Sequence, residues 1–392
     1  MSEVVIIGDA FVDIFCFCTK LPVLGGDTLL EKPLKTYPGG SGINTATHLV
    51  ALINNNNKYN GAPCNVELHT VFSDDDHGRI LERHAELHGF EIRNCLSNIG
   101  INEASSAQTT NDERKTNTSL ATGHCIVIVA EDDRSFLTHR GCIDQFTSES
   151  VVVDLPPAPL PASITKRAPN TCKKISCQHL HIAGYFNIKK FLDGSLKKKI
   201  IAMKAEREEQ NIHTTVSLVP QFDASGKWDG GLLDLLSCVD ILIMSEAEAL
   251  SITKCDNLSG AAHVLDDASP DTVAVVTRSS QGAVVLKNRA QILVQNAASV
   301  ELVDPTGAGD AFAAGFIFGV LDRWPQYSEN KRIPVDVMKQ GLKWGCAVGS
   351  ANVMTTGASN PSKKITIDKC YIHQEQADMG ELISVSDNQS KV

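Results

Sequence analysis

Short apolar runs rich in β-branched residues alternate along most of this chain with longer stretches that have helical periodicity. The strand-like runs are residues 4–7, 66–71, 126–129, 179–182, 214–218, 241–244, 273–277 and 283–286. The helical stretches are residues 43–53, 78–88, 196–209, 232–236, 247–253, 310–321 and 335–352. Since parallel strands need long crossover connections, which are usually helices, the alternation predicts an α/β fold with a mostly parallel central sheet flanked by helices.

Composition and charge narrow the range of possible partners. Hydrophobic residues make up 42% of the 392 residues, enough for a sizeable core. The formal net charge is -10 and no extended basic block offsets it, which disfavours binding to nucleic acid or to an anionic membrane. The 12 cysteines have no regular spacing, and no charged leader precedes the first strand-like run. Reduced thiols and a cytoplasmic location are therefore expected.

The strongest local signal is a glycine-rich turn that opens an apolar helix, Val-Asp-Pro-Thr-Gly-Ala-Gly-Asp-Ala-Phe over residues 303–312. Gly307 and Gly309 allow the backbone to turn tightly and to approach a ligand closely. Free N–H groups at a helix N-terminus bind anions, and a carboxylate beside them, here Asp310, is placed to accept the proton of an attacking hydroxyl. The pattern indicates phosphoryl transfer by a small-molecule kinase, although taken alone it is equally compatible with a simple helix cap.

Two other nucleotide-binding classes are disfavoured by motifs that the sequence lacks. It contains no Gly-x4-Gly-Lys-Ser/Thr segment, which a P-loop kinase would need. No Gly-x-Gly-x-x-Gly segment follows the first strand-like run, as a dinucleotide-binding dehydrogenase would require.

A second motif lies near the N-terminus, Pro-Gly-Gly-Ser-Gly-Ile-Asn-Thr-Ala over residues 38–46. Together with residues 304–312 it resembles the two signatures of the ribokinase-like (PfkB) carbohydrate kinase family, in the same order. The resemblance extends from about residue 4 to about residue 361. It implies a Rossmann-type core with a small β-sheet lid, and transfer of the γ-phosphoryl group of ATP to an alcohol of a sugar or nucleoside.

The resemblance also implies roles for individual residues around the acceptor. Asp310 would be the base, and the amides of Gly307, Ala308 and Gly309 would form the anion hole. The positions that match the family's substrate contacts are Asp13, Gly39, Gly40 and Asn44.

The nucleotide side matches the family less closely. Glu248 would order Mg²⁺ and its waters, while Ser245 stands where the family usually has Asn and is expected to weaken or rearrange a phosphate contact. Thr277, Ser279 and Gly282 match a Thr-x-Gly-x-x-Gly nucleotide loop, with Ser279 in place of the first glycine. The Ser279 side chain is expected to crowd the phosphates unless its φ is negative.

Asp304 and Thr306 match part of the K⁺ site of cation-activated relatives, which carbonyl groups near residues 353–357 would complete. Asp304 is equally suited to holding the turn by hydrogen bonds.

The resemblance predicts one kinase domain over residues 1–370, with lid segments at about 13–38 and 104–142, and a polar tail over 371–392. Residues 123–140 would form a hairpin of lid strands, and relatives often form homodimers through their lids. A polar stretch at 97–122 is expected to be an insertion, and the proline-rich stretch at 156–169 is expected to lack regular structure.

The substrate is expected to be a neutral sugar, because residues 40–44 are closest to ribokinase- and fructokinase-type members and no Arg/Lys pair is reserved for a second phosphate. A nucleoside kinase is the first alternative, with Phe15, Phe17 or Phe136 stacking on a base. The second alternative is a catalytically silent binding or scaffold protein, for which Ser245 and Ser279 would be the evidence.

Overall fold

The computed structural model describes residues 2–55, 64–96, 120–130, 133–151, 178–209, 212–323 and 332–372. Most of the predicted insertion at 97–122, the whole proline-rich stretch at 156–169 and most of the predicted tail at 371–392 lie outside these ranges. The strands in chain order are β1 (Ser2–Gly8), β2 (Phe11–Phe17), β3 (Lys35–Gly39), β4 (Cys64–Thr70), β5 (Glu91–Asn94), β6 (His124–Ala130), β7 (Asp133–His139), β8 (Gln178–Ala183), β9 (Thr214–Val219), β10 (Ile241–Ser245), β11 (Val273–Thr277), β12 (Ala283–Lys287) and β13 (Ala290–Gln295). The helices are α1 (Ser41–Asn55), α2 (Asp76–His88), α3 (Ser195–Glu209), α4 (Leu232–Leu235), α5 (Glu246–Thr253), α6 (Leu258–Ala268), α7 (Ala308–Arg323) and α8 (Val335–Asn352).

Within the described residues, nine strands form the central sheet, in the order β13-β12-β11-β10-β9-β8-β1-β4-β5. Neighbouring strands from β5 through β11 are parallel, and only β12 and β13 at one edge pair in the antiparallel sense. This arrangement confirms the predicted α/β fold with a mostly parallel sheet.

Successive side chains of the central strands point to two different hydrophobic clusters. Val4 and Ile6 pack in a cluster with α1, α2, α7 and α8, whereas Val5 and Ile7 pack in another with α3, α4, α5 and α6. Because both faces are covered, β1, β10, β11 and β12 consist mostly of continuous apolar runs rather than alternating ones, which explains why short apolar runs predicted them.

Three elements of the central domain, namely β5, β13 and α6, were not predicted from the sequence. In β13 most side chains are at least partly exposed, so the strand lacks a continuous apolar run. In α6 the helix begins at a cap, where the Asn257 side chain accepts a hydrogen bond from the amide of Gly260 at 2.9 Å. Such a cap is visible in sequence only as one polar residue before a short helix.

A smaller four-stranded sheet has the order β3-β2-β6-β7, in which β2 and β6 are parallel and the outer pairs are antiparallel. Strands β6 and β7 are the predicted hairpin of residues 123–140. The register places Asp13 opposite Tyr37 and Cys125, and Val129 opposite Arg134. Since side chains alternate between faces along each strand, Asp13, Phe15, Tyr37, Phe136 and Arg134 share one face of this sheet, which we call the Asp13 face.

Among the described helices, none combines the length and the apolar character needed to cross a membrane.

Candidate active site

A cavity of about 170 Å³ opens where β9, β10 and β11 end and α7 begins. The carboxyl ends of parallel strands are where α/β proteins usually bind ligands. The predicted residues that line this cavity are Ser245, Glu248, Thr277, Gly307, Ala308, Gly309 and Asp310. The structure therefore brings together the predicted base, the predicted anion hole and the predicted metal-binding carboxylate.

Asp310 lies in the first turn of α7 and is held by three side-chain donors. Oδ1 accepts hydrogen bonds from Ser41 Oγ at 2.7 Å and from Gln221 Nε2 at 2.9 Å. Oδ2 accepts a hydrogen bond from Asn44 Nδ2 at 2.8 Å. Burial raises the pKa of Asp310 to about 6, and the negative charge of Glu248 adds to this effect against the three hydrogen bonds. At neutral pH the carboxylate is thus mostly ionised, with a pKa only slightly below the pH of the solution. The three donors hold it in one orientation.

Two further carboxyl groups, those of Asp9 and Asp13, lie close enough to Asp310 to interact with its charge. Burial raises the pKa of Asp9 to about 7, although its oxygens accept hydrogen bonds from the Ser41 amide at 3.0 Å and from Asn187 Nδ2 at 2.8 Å. Burial also raises the pKa of Asp13 to about 6, and the charge of Asp310 contributes to that shift. When ionised, the three acids give this region a negative potential that favours neutral ligands with hydroxyl donors.

Gly39 and Gly40 are required by the fold itself. A Cβ at Gly39 would lie 2.2 Å from Asp13 Oδ2, and Gly40 has a φ of +93° with the Asp9 carbonyl oxygen 2.8 Å from its would-be Cβ. Both glycines therefore let β3 run directly beside the two acids and into α1. Their predicted contact with substrate stays a prediction.

Asn44 carries an observation that points to a ligand. Its Nδ2 donates to Asp310, whereas its Oδ1 is buried and has no hydrogen-bond partner among the described residues. A buried acceptor without a partner is uncommon in proteins and is usually satisfied by a ligand or water. Asn44 is 5% exposed and lies next to the base, so a substrate hydroxyl is a suitable donor.

Two of the three predicted anion-hole amides are available. Within the described part of the chain, the amides of Gly307 and Gly309 donate to no protein oxygen, while the amide of Ala308 donates to the Pro305 carbonyl at 3.3 Å. Gly307 has a φ of +75° and a Cβ there would lie 2.6 Å from the Ala358 Cβ. Gly309 has no such restriction, since a Cβ there would meet nothing within 4 Å.

On the nucleotide side, Ser245 and Glu248 form a reciprocal cap at the start of α5. The Glu248 amide donates to Ser245 Oγ at 3.2 Å, and the Ser245 amide donates to Glu248 Oε2 at 2.8 Å. Burial raises the pKa of Glu248 despite these bonds. The Ser-x-x-Glu pattern could have revealed this cap from sequence. Ser245 therefore fixes the position of the Glu248 carboxylate at the cavity wall.

The predicted nucleotide loop is only partly brought to the cavity. Thr277 lines it, whereas Ser279 and Gly282 are not among the lining residues. Ser279 has a φ of +51°. The negative φ that would keep its side chain away from the phosphates is therefore not present. Ser279 thus adopts the backbone conformation that the family's glycine would provide at lower energy. Gly282 is structural, since a Cβ there would lie 2.0 Å from the Gln295 carbonyl oxygen.

Asp304 and Thr306 lie immediately before the anion-hole turn, but they are bonded to an arginine of the small sheet. Arg134 Nη1 donates to Asp304 Oδ1 at 3.1 Å and also to Thr306 Oγ1. Burial by itself would raise the pKa of Asp304, but hydrogen bonds from Thr306 and Gly357 and the Arg134 charge lower it overall. The alternative that Asp304 holds the turn by hydrogen bonds fits this geometry.

Sequence reasoning missed three side chains of the site, namely Ser41, Gln221 and Asp9. Gln221 follows the carboxyl end of β9. Because ligands usually bind at the carboxyl ends of parallel strands, this position could have indicated a site residue. Ser41 lies inside the quoted 38–46 motif, and Asp9 directly follows β1.

A larger cavity, of about 710 Å³, lies between α7, α8 and residues 364–372. It contains none of the predicted site residues and its walls include Arg323 and Ile372, next to residues that the structure does not describe.

A model of the pfkB family of carbohydrate kinases matches residues 102–365 of this chain. A cytidine kinase of Thermococcus kodakarensis is 34% identical over 116 residues, which is 29% of this chain and 41% of the relative. The chain thus matches less than half of the length of that curated relative.

Similar solved structures cover nearly the whole chain. The ribokinase of Giardia lamblia has a TM-score of 0.67 at 17% identity, covering 94% of this chain and 99% of its own. A nucleoside kinase of Methanocaldococcus jannaschii has a TM-score of 0.58 at 18% identity, covering 96% and 99%. The fructokinase of Vibrio cholerae has a TM-score of 0.59 at 16% identity, covering 95% and 99%. At these identities the similarity shows the fold.

Proposed function

This chain belongs to the pfkB family of carbohydrate kinases, and we propose that it transfers the γ-phosphoryl group of ATP to a hydroxyl of a neutral sugar. The observation that carries the proposal is that Asp310, the turn of Gly307 and Gly309, and Glu248 all line the same cavity. A buried base and free amides at one helix N-terminus, with a second carboxylate from another helix facing the same cavity, are the parts that phosphoryl transfer needs.

In this proposal Asp310 accepts the proton of the sugar hydroxyl as the oxygen attacks the γ-phosphorus. Ser41, Asn44 and Gln221 keep the carboxylate in position while the proton moves. General-base catalysis of the kind assigned to Asp310 contributes about 10²–10⁴ in rate. The amides of Gly307 and Gly309 stabilise the negative charge on the transferring group.

The nucleotide would lie on the side of the cavity formed by Ser245 and Thr277. Glu248 is suited to hold Mg²⁺, directly or through its waters, because the ion prefers oxygen ligands and this carboxylate faces the same cavity. When bound, the ion would neutralise phosphate charge.

The carboxyl groups near the predicted substrate contacts favour a neutral sugar over a sugar phosphate. Asp9, Asp13 and Asp310 would repel a second phosphate, whereas Asp13 and the unpartnered Asn44 Oδ1 accept hydrogen bonds from hydroxyls.

A nucleoside is the second candidate acceptor, and one observation favours it. Phe136 is 59% exposed on the Asp13 face of the small sheet, two strands away from Asp13. On the same face Phe15 packs edge-on against Tyr37 with ring centroids 5.6 Å apart. A base stacked on Phe136 would place its ribose towards Asp13.

A coupled assay of ADP release with a panel of pentoses, hexoses, sugar phosphates and nucleosides tests the proposal. We expect release with at least one neutral sugar and none with an equal preparation of Asp310→Asn, which controls for contaminating kinases. Release with nucleosides alone would replace the first candidate with the second. Silence across the panel, with acceptors that still raise the melting temperature, would instead support the scaffold alternative.

We also propose a homodimer formed through the small sheet and a cytoplasmic location. Strands β3 and β7 are the open edges of the small sheet. In the segment between β2 and β3, the apolar residues Val23, Leu24 and Leu29 are 66%, 106% and 82% exposed. The described cysteines are free thiols, which supports a reducing compartment. Light scattering on the wild type and on Leu24→Asp/Leu29→Asp would test the dimer, since the double variant should be monomeric.

A further inference from the structure

The side chain of Asp304 has a protein cation at the position where a bound ion would be expected. The Arg134 guanidinium reaches from β7 to Asp304 and Thr306, which lie four and two residues before the start of α7. Asp304 is only 8% exposed, and a buried carboxylate needs a positive partner or several hydrogen bonds. Arg134 supplies that charge.

Both side-chain oxygens of Asp304 also accept hydrogen bonds from other protein groups. Oδ1 also accepts hydrogen bonds from the Thr306 amide at 2.9 Å and from Thr306 Oγ1 at 2.6 Å. Oδ2 accepts a hydrogen bond from the Gly357 amide at 3.0 Å. No oxygen of this carboxylate is left without a donor.

One of the backbone carbonyls near residues 353–357, that of Val353, is occupied as well. The Val353 carbonyl accepts hydrogen bonds from the amides of Val303 and Asp304 at 2.8 and 3.1 Å, which uses both of its lone pairs. The Thr306 carbonyl accepts a hydrogen bond from Asn352 Nδ2 at 2.9 Å. A monovalent cation at the Asp304 carboxylate would have to lie beside the positive charge of Arg134, so the site fits the ion poorly while Arg134 is in place.

We propose that Arg134 replaces a monovalent cation beside the anion-hole turn, so that this protein needs no K⁺ for activity. Arg134 is a positioning residue, since it touches the turn and not the cavity, and the inference rests on the proposed kinase function. Because Arg134 lies on the Asp13 face, its bond also ties the small sheet to the turn that carries Gly307 and Gly309.

The test compares turnover of wild type, Arg134→Ala and Arg134→Lys in KCl, NaCl and tetramethylammonium chloride at equal ionic strength. The wild type should have the same kcat in all three salts. Arg134→Ala should lose kcat by roughly 10- to 100-fold with little change in KM, and K⁺ or added guanidinium ion should restore part of it. Arg134→Lys should retain more activity than Arg134→Ala.

Arg289→Ala is the matched control, because Arg289 is an exposed arginine that pairs with Asp266 and Asp267 at the far edge of the central sheet. A wild type whose kcat is specifically raised by K⁺ over Na⁺ would overturn the inference. So would an Arg134→Ala variant that behaves like Arg289→Ala.

Melting temperatures in the same salts separate this inference from the proposed function. The wild type should melt equally in KCl and NaCl, whereas Arg134→Ala should gain a K⁺-specific increase. A protein that phosphorylates nothing yet shows this pattern would refute the proposed function and support the inference. If the melting temperatures of the wild type and Arg134→Ala responded equally to KCl and NaCl, the inference would be wrong.

Discussion

Gly307 and Gly309 should respond in opposite ways to replacement by alanine, because only one of them is restricted by the fold. At Gly307 a Cβ would lie 2.6 Å from the Ala358 Cβ, on a backbone with a φ of +75°. The left-handed conformation alone costs an L-residue about 1–2 kcal/mol, and the contact adds to it. Gly307→Ala should therefore lower the free energy of unfolding by at least about 2 kcal/mol.

At Gly309 a Cβ would meet nothing within 4 Å, and the residue lies in the first turn of α7. Alanine there reduces the entropy of the unfolded chain and should stabilise the protein by about 0.4–1 kcal/mol. The new methyl group would nevertheless lie beside the amides that receive the phosphoryl group. Alanine keeps the backbone N–H, but the methyl group would keep the phosphoryl group from reaching it, and since loss of one anion-hole donor costs about 10²–10³ in kcat, we expect a loss of this order.

Urea unfolding and steady-state kinetics of both variants make the comparison. Gly309→Ala should be at least as stable as the wild type but nearly inactive, a combination that a damaged fold cannot produce. If Gly309→Ala kept wild-type turnover, no transferring group would approach this amide, and the assigned anion hole would be wrong.

Three further predictions follow from the same contacts. Because burial raises the pKa of Asp310 to about 6, kcat/KM should fall about tenfold for each pH unit below 6 and level off above 7, as a pH–rate profile would show; a flat profile down to pH 5 would exclude this base. Ser279→Gly should raise the free energy of unfolding by about 1 kcal/mol, because the φ of +51° strains serine but not glycine; an unchanged urea midpoint would contradict this. Ser245→Ala should lower that free energy by about 1 kcal/mol while Ser245→Asn leaves it nearly unchanged, since asparagine also caps helices; equal losses in both would show that the cap is unimportant.

The parts of the site that could be predicted from sequence are those that lie within one short segment. Gly307, Gly309 and Asp310 share a turn and a helix start, so their local geometry follows from their order in the chain. The central strands were predictable for a similar reason, since burial on both faces leaves continuous apolar runs.

The contacts that sequence did not reveal join residues that are far apart in the chain. Gln221 reaches Asp310 across 89 positions, from a residue with a φ of +62° after β9. Arg134 reaches Asp304 across 170 positions, and this depends on how the small sheet packs on the core. No local pattern encodes such packing, so the predicted K⁺ site was drawn from Asp304 and Thr306 without the arginine that bonds to both.

Replacement of Asp310 by asparagine tests the account most directly. The variant should fold, because asparagine has nearly the shape of aspartate and its side-chain oxygen can still accept the hydrogen bonds from Ser41 and Gln221. We predict that kcat falls by about 10²–10⁴ while the Kd of the acceptor, measured by calorimetry, changes little. Turnover close to that of the wild type, with the fold intact, would contradict the claim that this carboxylate takes the proton.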